Sequence, residues 1–365
     1  MRIRSLHLRD FRNIPEAHVD LDAPAVFIAG ANGQGKTNML EALGLLAALR
    51  SFRAGDRRAL IRWGAGEAGV RVELEHDTQG ETEVAMTLRS GALTVTVDGE
   101  RVERLTGFLG LFPVVAFTSQ DIQILRGAPQ GRRQFMDLSF SMVDAAYLEA
   151  LRRYHGALRE RNRLLKNRAA RSVRAAFEAV LVPEGARLMA KRAEALRHFA
   201  AELERAYGQI APREESPALV YRPCVKDASD EETLRAALDD ARERDEATGT
   251  TTVGPHRDDF ALSLFERGAR EYGSEGQQRG LVLSLRLAQA QWFGAHTGVR
   301  PVILADDILG ELDPVRRERF WGALPQDAQI IATGTALPAG GPWGEWAVYS
   351  VEDGAFKRED DVIFE

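Results

Sequence analysis

The chain has 365 residues, a length that at roughly 150 residues per domain points to two or three domains. With 44% hydrophobic and 28% charged residues the balance is that of an ordinary globular protein, and no run approaches the ~18 apolar residues of a membrane span. A single cysteine, Cys224, excludes an internal disulfide framework, and no Cys/His cluster offers a zinc site. The N-terminal MRIRSLHLRD lacks the apolar stretch of a signal peptide, so the expectation is a soluble protein of the reducing cytoplasm.

Ala25–Ala29 is a short apolar run entering a glycine-rich turn, and an amphipathic helix should follow from about Lys36 to Arg50. Val70–Glu75, Glu83–Leu88 and Leu93–Val97 alternate with period two, and Asp98-Gly99 marks a tight hairpin before Val102. Val114–Phe117 is another apolar strand. From about Gln130 to Ala247 the pattern is helical, with Leu151, Tyr154, Leu158 and Leu165 on one stripe. Pro183 and the Pro212–Pro223 region should interrupt it, and the acidic stretch Asp227–Glu246 follows. Strand character returns at Phe260–Phe265, then a long helix from Ser274 to about Ala295, then buried strands at Pro301–Ala305 and Gln329–Ala332. A Gly/Pro-rich loop at Gly334–Gly344 and a hairpin near Glu352–Gly354 close the chain. This order predicts a discontinuous α/β head, residues 1–128 and 248–365, interrupted by an α-helical lobe at 129–247.

The clearest chemistry is Gly30-Ala31-Asn32-Gly33-Gln34-Gly35-Lys36-Thr37, which fits GxxxxGK[ST] between a strand and a helix. Its backbone N–H groups would curl around the phosphates of ATP at the positive end of the helix. Lys36 would reach the β- and γ-phosphates and Thr37 would hold Mg²⁺. Val302–Asp307 is a buried strand ending in two carboxylates. Asp306 would contact Mg²⁺ through its water shell, and Asp307 would orient or deprotonate the attacking water. Asp307 has a shorter reach than the Glu that many ATPases use there, which fits slow turnover.

Basic charge is uneven. Between Arg152 and Arg174 lie nine basic residues and one acid, Glu160, although the whole chain has a net charge of −6. Arg132, Arg133, Arg152, Arg153, Arg159, Arg163 and Lys166 are therefore candidates for DNA phosphates, with binding that falls steeply with salt. Few aromatics interleave them, so duplex backbone fits better than stacking on bases. The competing reading is a solvated helix face or a protein contact. His256-Arg257-Asp258 mimics a kinase catalytic loop, but Ser263 stands where Asn is required, and Gly254–Asp259 reads as a structured turn.

Ser274-Glu275-Gly276-Gln277-Gln278 opens the long helix. Ser and Gly there are ordinary capping residues, but ahead of the Asp-Asp strand the segment resembles the signature motif of ABC-type ATPases. Gly310–Asp313 resembles the D-loop of the same enzymes. With Asn13 in DFRNI, GANGQGKTNMLEAL from Gly30, RSFR from Arg50, GAPQGRRQFMD from Gly127, GPHRDDF from Gly254 and ADDILGELD from Ala305, the chain resembles the RecF family of bacterial recombination mediators, relatives of SMC-type ATPase heads. The resemblance implies an ABC-type P-loop head that closes into a homodimer around two ATP molecules. In it Ser274, Gly276 and Gln277 reach the nucleotide of the opposite subunit, and Arg12 touches its own. It also implies DNA binding at single-strand gaps, work with RecR and RecO, assistance to RecA, and slow hydrolysis that resets the clamp. Three departures stand out. Ser119-Gln120-Asp121 replaces Pro-Glu-Asp, which would make Gln120 a metal ligand. Gly310 replaces a D-loop serine, and Ile331-Ala332-Thr333 stands where transporter-type relatives carry a switch histidine. An SMC-like tether head is the alternative, disfavoured by the short insertion. A transporter motor is disfavoured by the distance between Thr37 and Asp306, and a nuclease by the lack of a second acid cluster.

Overall fold

The structure is a computed structural model that describes residues 1–53, 55–90, 92–211, 215–226, 230–308, 312, 314–325, 327–337 and 346–359. In chain order it opens with β1 (Arg2–Phe11), β2 (Ile14–Asp20), β3 (Ala25–Ala29) and α1 (Lys36–Ala48). Next come β4 (Glu67–His76), β5 (Gly80–Arg89), β6 (Ala92–Val97), β7 (Glu100–Arg101) and β8 (Val114–Thr118). The helical part has α2 (Ile122–Arg126), α3 (Pro129–Ser141), α4 (Ala145–Lys166) and α5 (Arg171–Ile210). It continues through β9 (Ala218–Arg222), α6 (Glu231–Asp240), α7 (Arg242–Thr248), β10 (Asp259–Leu264), β11 (Arg267–Gly268) and α8 (Ala269–Tyr272). The chain then runs through α9 (Glu275–Thr297), β12 (Val302–Asp306), α10 (Pro314–Ala323), β13 (Ile330–Gly334), β14 (Ala347–Glu352) and β15 (Ala355–Glu359).

Two compact units result. The first comprises residues 1–121, 206–212 and 283–365. It holds a sheet in the order β15-β14-β3-β13-β12-β8 whose inner pairings are all parallel, with the β14–β15 hairpin antiparallel at one edge. Its central strands are buried almost throughout, which is why AVFIA, VILAD and IIATG read as unbroken apolar runs rather than alternating ones. A second, antiparallel sheet, β2-β1-β4-β5-β6-β7, shows the alternation instead. The expected hairpin sits at Asp98 (φ 50°) and Gly99 (φ 79°), both left-handed as a two-residue turn of this type needs.

The second unit comprises residues 122–205 and 213–282. It is wider than the 129–247 lobe expected from sequence, and it is not wholly helical, because β9, β10 and β11 form a three-stranded antiparallel sheet. The pairing of β9 with β10 draws 248–282 into this unit, whereas the sequence reading placed those residues in the head. Pro183 does not interrupt the helix. α5 runs through it for 40 residues, since a proline removes one ladder bond, a loss that packing on both sides of Pro183 can outweigh. Leu181, Val182, Ala186 and Leu188 are all buried.

Candidate functional site

The P-loop leaves the C-terminal end of β3, where ligands gather in open parallel sheets. Its glycines are needed for stated reasons. Gly33 has φ 86° and Gly35 φ 113°, conformations that cost an L-residue strain. A Cβ on Gly30 would lie 2.8 Å from Val351 Oand Cγ1, so only glycine permits the close pass of β14. The loop is braced from outside. Asn13 Nδ2 donates to Gly33 O (3.3 Å) and Asn38 Nδ2 to Asn13 Oδ1 (2.7 Å), while the β14–β15 turn donates Asp353 N to Gln34 Oε1 (2.6 Å) and Gly354 N to Gln34 O (3.0 Å). These braces were not foreseen; Asn13 had only its place in a motif to mark it.

Among the described residues, no acceptor meets the backbone N–H groups of residues 31–37. Lys36 is 3% exposed, and among the described residues its ammonium donates only to the carbonyls of Gly30 (2.7 Å) and Ala31 (3.0 Å), with no carboxylate of those residues in ion-pair reach. A buried cation normally has a counter-charge. A loop of open N–H donors closing on an unneutralised lysine is the arrangement that an oligophosphate completes.

Thr37, the second residue of α1, donates its hydroxyl to Asp306 Oδ1 (2.8 Å) at the end of β12. β13 lies between β3 and β12, and its Thr333 pairs with Asp306 in register. Thr333 donates to the same Oδ1 (3.0 Å) and accepts from Asp307 N (3.2 Å). Fully buried Thr333 is the residue that sequence reasoning undervalued; it was noted only as what replaces a histidine. Burial raises the Asp306 carboxyl above its ordinary value and the charge of Asp307 adds to this, while the two threonine hydroxyls oppose it. Asp307 has φ 54°, an uncommon left-handed position for a non-glycine, and among the described residues no side-chain hydrogen bond holds its carboxylate. Gln120 is exposed in the turn after β8, beyond Thr118, which pairs with Asp306 on its other side.

Arg12 stands just after β1 at a left-handed φ of 56°. Its guanidinium grips the fully buried Glu41 of α1 through Nε (2.8 Å) and Nη2 (2.6 Å), and Nη1 donates to Ala59 O (2.7 Å). It thereby ties β1 to the P-loop helix.

In the second unit, Ser274 and Gln277 form a reciprocal cap on α9. Ser274 N donates to Gln277 Oε1 (2.8 Å) and Gln277 N to Ser274 Oγ (3.3 Å), with Gly276 between them. Ser274 is exposed. Gln278 below it is buried, accepting from Arg126 Nε (2.6 Å) and donating to the carbonyls of Ala269, Arg270 and Gly273 (each 3.0 Å), which fixes the turn. Of the expected D-loop, Gly310, Glu311 and Asp313 lie outside the described residues, as does Asp227 at the start of the acidic stretch.

The basic candidates divide sharply. Arg132 is committed internally: Nε and Nη2 clasp Asp259 (2.6 and 2.9 Å) and Nη1 donates to the carbonyls of Ile124 in α2 (3.2 Å) and of Gly127 just after it (3.1 Å). One Nη2 hydrogen is left without an acceptor among the described residues, but the side chain is only 11% exposed and Asp259 matches its charge. Arg133 donates to Asp258 O (2.8 Å). Arg153 pairs with Glu149 and Glu184, and Arg163 with Glu160. Arg152, Arg159 and Lys166 are exposed without a side-chain partner among the described residues. With Arg163 they share one face of α4, opposite buried Tyr154, Leu158 and Leu165. Arg161 and Arg174, from the same basic run, are instead buried against Asp245 with Glu178, and against Glu246.

The GPHRDD turn has a role that sequence left open. Asp258 is fully buried and accepts from Arg192 Nη1 (2.9 Å), Cys224 N (2.8 Å) and the Tyr221 hydroxyl. Arg192 also donates to Asp137 Oδ1 (2.7 Å), Tyr147 Oη (3.0 Å) and Pro255 O (2.6 Å). His256 sits beside this cluster between the Tyr154 hydroxyl (2.6 Å) and Thr251 O (2.9 Å). The carbonyl requires an N–H at Nε2, so Nδ1 accepts from tyrosine, and burial lowers the imidazole to about 4.

A model of the RecF/RecN/SMC N terminal domain matches residues 2–336. The chain is 38% identical over 349 residues to the DNA replication and repair protein RecF of Myxococcus xanthus (strain DK1622), spanning 92% of this chain and 91% of that one. The protein of the same name from Anaeromyxobacter dehalogenans (strain 2CP-C) is 36% identical over 369 residues, spanning 97% and 98%. A solved structure of the recombination mediator protein RecF with ATP, in the RecFOR pathway, superposes with a TM-score of 0.90 at 26% identity, covering 98% of this chain and 97% of that one. An Smc head bound to the C-terminal winged-helix domain of ScpA shares the fold at a TM-score of 0.56 and 14% identity. No helix among the described residues is long and apolar enough to cross a membrane.

Proposed function

The chain belongs to the RecF family of the SMC/ABC-type ATPases, and on that premise we propose that it is an ATP-dependent DNA clamp of gap repair and recombination. The observation that carries this reading is the buried, carboxylate-free Lys36 inside a loop of unpaired N–H groups, with Thr37 joined to Asp306 two strands away. Lys36 would exchange its two carbonyl contacts for phosphate oxygens, and the N–H groups of residues 31–37 would wrap the same group. Thr37 and Asp306 are the oxygen donors that fit Mg²⁺, with Gln120 a third at the neighbouring strand end. Bound there, Mg²⁺ would neutralise phosphate charge and polarise the transferred phosphoryl group. Asp307, its carboxylate unheld, would orient the attacking water, and its short side chain fits slow hydrolysis.

Ser274, with its cap to Gln277, presents an exposed hydroxyl at a helix N-terminus, which suits the nucleotide of a second copy. A site completed by the partner makes ATP the link of a homodimer, and hydrolysis its release. Arg152, Arg159, Arg163 and Lys166 would then meet DNA phosphates, with Arg133 beside them. By kinship the clamp would work with RecR and RecO at single-strand gaps and assist RecA. We place the lobe at 122–205 and 213–282 rather than 129–247, with the head on either side.

The test is ATP turnover with and without gapped DNA at two salt concentrations. Gapped DNA should stimulate turnover at low salt and fail to do so at high salt. Replacing Arg159 and Arg163 together by alanine should lower the salt slope of binding by about two. Turnover indifferent to DNA at both salts would refute the reading.

A further inference from the structure

Trp63 is 98% exposed, more than any other large apolar side chain among the described residues. It does not hang on a loose loop. Ala65 N donates to Arg62 O (3.0 Å) and Gly64 takes φ 85°, closing a tight turn with the tryptophan at its corner. The turn is fastened to the end of β1. Arg62 N donates to Asp10 O (2.8 Å), Arg62 Nε to Asp10 Oδ1 (2.6 Å), and Arg12 N to Leu60 O (2.8 Å). Through Arg12 and Glu41 the same segment is tied to the helix of the P-loop. The backbone that carries the indole is thus fixed, and the indole itself stands in water.

Its surroundings are basic. From Arg50 to Arg62 the chain carries five arginines and one acid, the exposed Asp56, whose carboxylate caps the following turn by accepting from Arg58 N (2.9 Å). Arg58 is exposed and its guanidinium has no partner among the described residues. Arg57 gives Nη2 to Leu49 O (3.3 Å) and has no carboxylate partner among the described residues. Arg53, also exposed, donates to Asn38 Oδ1 (3.1 Å) and lies 4.0 Å from Glu41. An exposed aromatic a few residues along the chain from exposed arginines without a carboxylate partner is the equipment of single-strand recognition, where bases stack and phosphates meet positive charge. Duplex backbone alone would have no use for the indole.

We infer that Trp63 stacks on an unpaired nucleobase while Arg57 and Arg58 hold the flanking phosphates, so that this turn detects single-stranded DNA beside duplex. The inference rests on the DNA-binding reading and adds to it a site for the strand that the α4 arginines do not read. Because Trp63 buries nothing, its replacement should leave folding intact.

The experiment compares a blunt duplex with the same duplex carrying a single-stranded dT tail, using the full chain at one fixed low salt concentration. The tailed duplex should quench tryptophan emission at its red edge, where exposed indole emits. Trp63→Ala should abolish the quench and weaken the tailed duplex about tenfold, with blunt-duplex affinity changed less than about twofold. Trp63→Phe should restore most of the affinity, and Arg58→Ala should lower the salt slope by about one. Equal binding of the tailed duplex by wild type and Trp63→Ala would overturn the inference alone, and would leave the turn to a protein partner. Failure of the wild type to bind either DNA would overturn the DNA-binding reading with it.

Discussion

His256 shows how a single residue can tie stability to pH. Its imidazole is buried with Nε2–H on Thr251 O and Nδ1 accepting from Tyr154, and burial first, then the charge of Arg257, holds it near 4. An unfolded histidine titrates near 6.5. Between those values the unfolded chain binds the extra proton, so the contribution of neutral His256 is complete above about pH 6.5 and is lost as pH falls toward 4. Urea midpoints measured from pH 7 to pH 4 should therefore fall, and His256→Gln should flatten that part of the curve while lowering stability at pH 7. An unchanged pH profile in the variant would refute the assignment. Residue identity alone did not reveal this, since a His-Arg-Asp triplet looks the same whether it is buried or catalytic. The arginines make the same point. Arg132 and Arg159 are indistinguishable in sequence, yet Asp259, 127 residues away, claims the first, and the second faces solvent. By contrast the P-loop was legible, because its glycines must stand at fixed spacing to reach φ 86° and 113°.

At the scale of elements, the Arg192 cluster pins the second unit together. It joins α3 through Asp137, α4 through Tyr147, α5 through Arg192 itself, β9 through Tyr221 and the start of β10 through Asp258. Removing one member of such a buried pair leaves the other charge without compensation, a loss of about 3–5 kcal/mol. Arg192→Met should lower the unfolding free energy of this unit, read from denaturant melts, by that order, while leaving nucleotide binding by the P-loop unit within about twofold. An Arg192→Met protein as stable as wild type would show the cluster to be dispensable. The strands of period two and the unbroken apolar strands were readable from sequence, since burial on one face or both imposes those patterns. β9 was not, because ALVYR follows a proline-rich stretch and its burial alternates weakly, so that its pairing with β10 decides its form. The helix through Pro183 was missed for the opposite reason: a local rule was overridden by the burial of its neighbours.

For the whole molecule, the chain belongs to a family of ATPase heads, and the residues proposed for its chemistry divide between its two units: Lys36, Thr37, Asp306 and Asp307 lie in the first, Ser274 and the α4 arginines in the second. A protein built this way acts as a switch if nucleotide held on the first unit of one copy is completed by Ser274 of another. Sedimentation velocity with saturating ATP and Mg²⁺ tests that claim most directly. The wild-type chain should shift from monomer to dimer mass, and Lys36→Met should remain a monomer. A wild-type chain that stays a monomer while nucleotide is demonstrably bound would contradict the account.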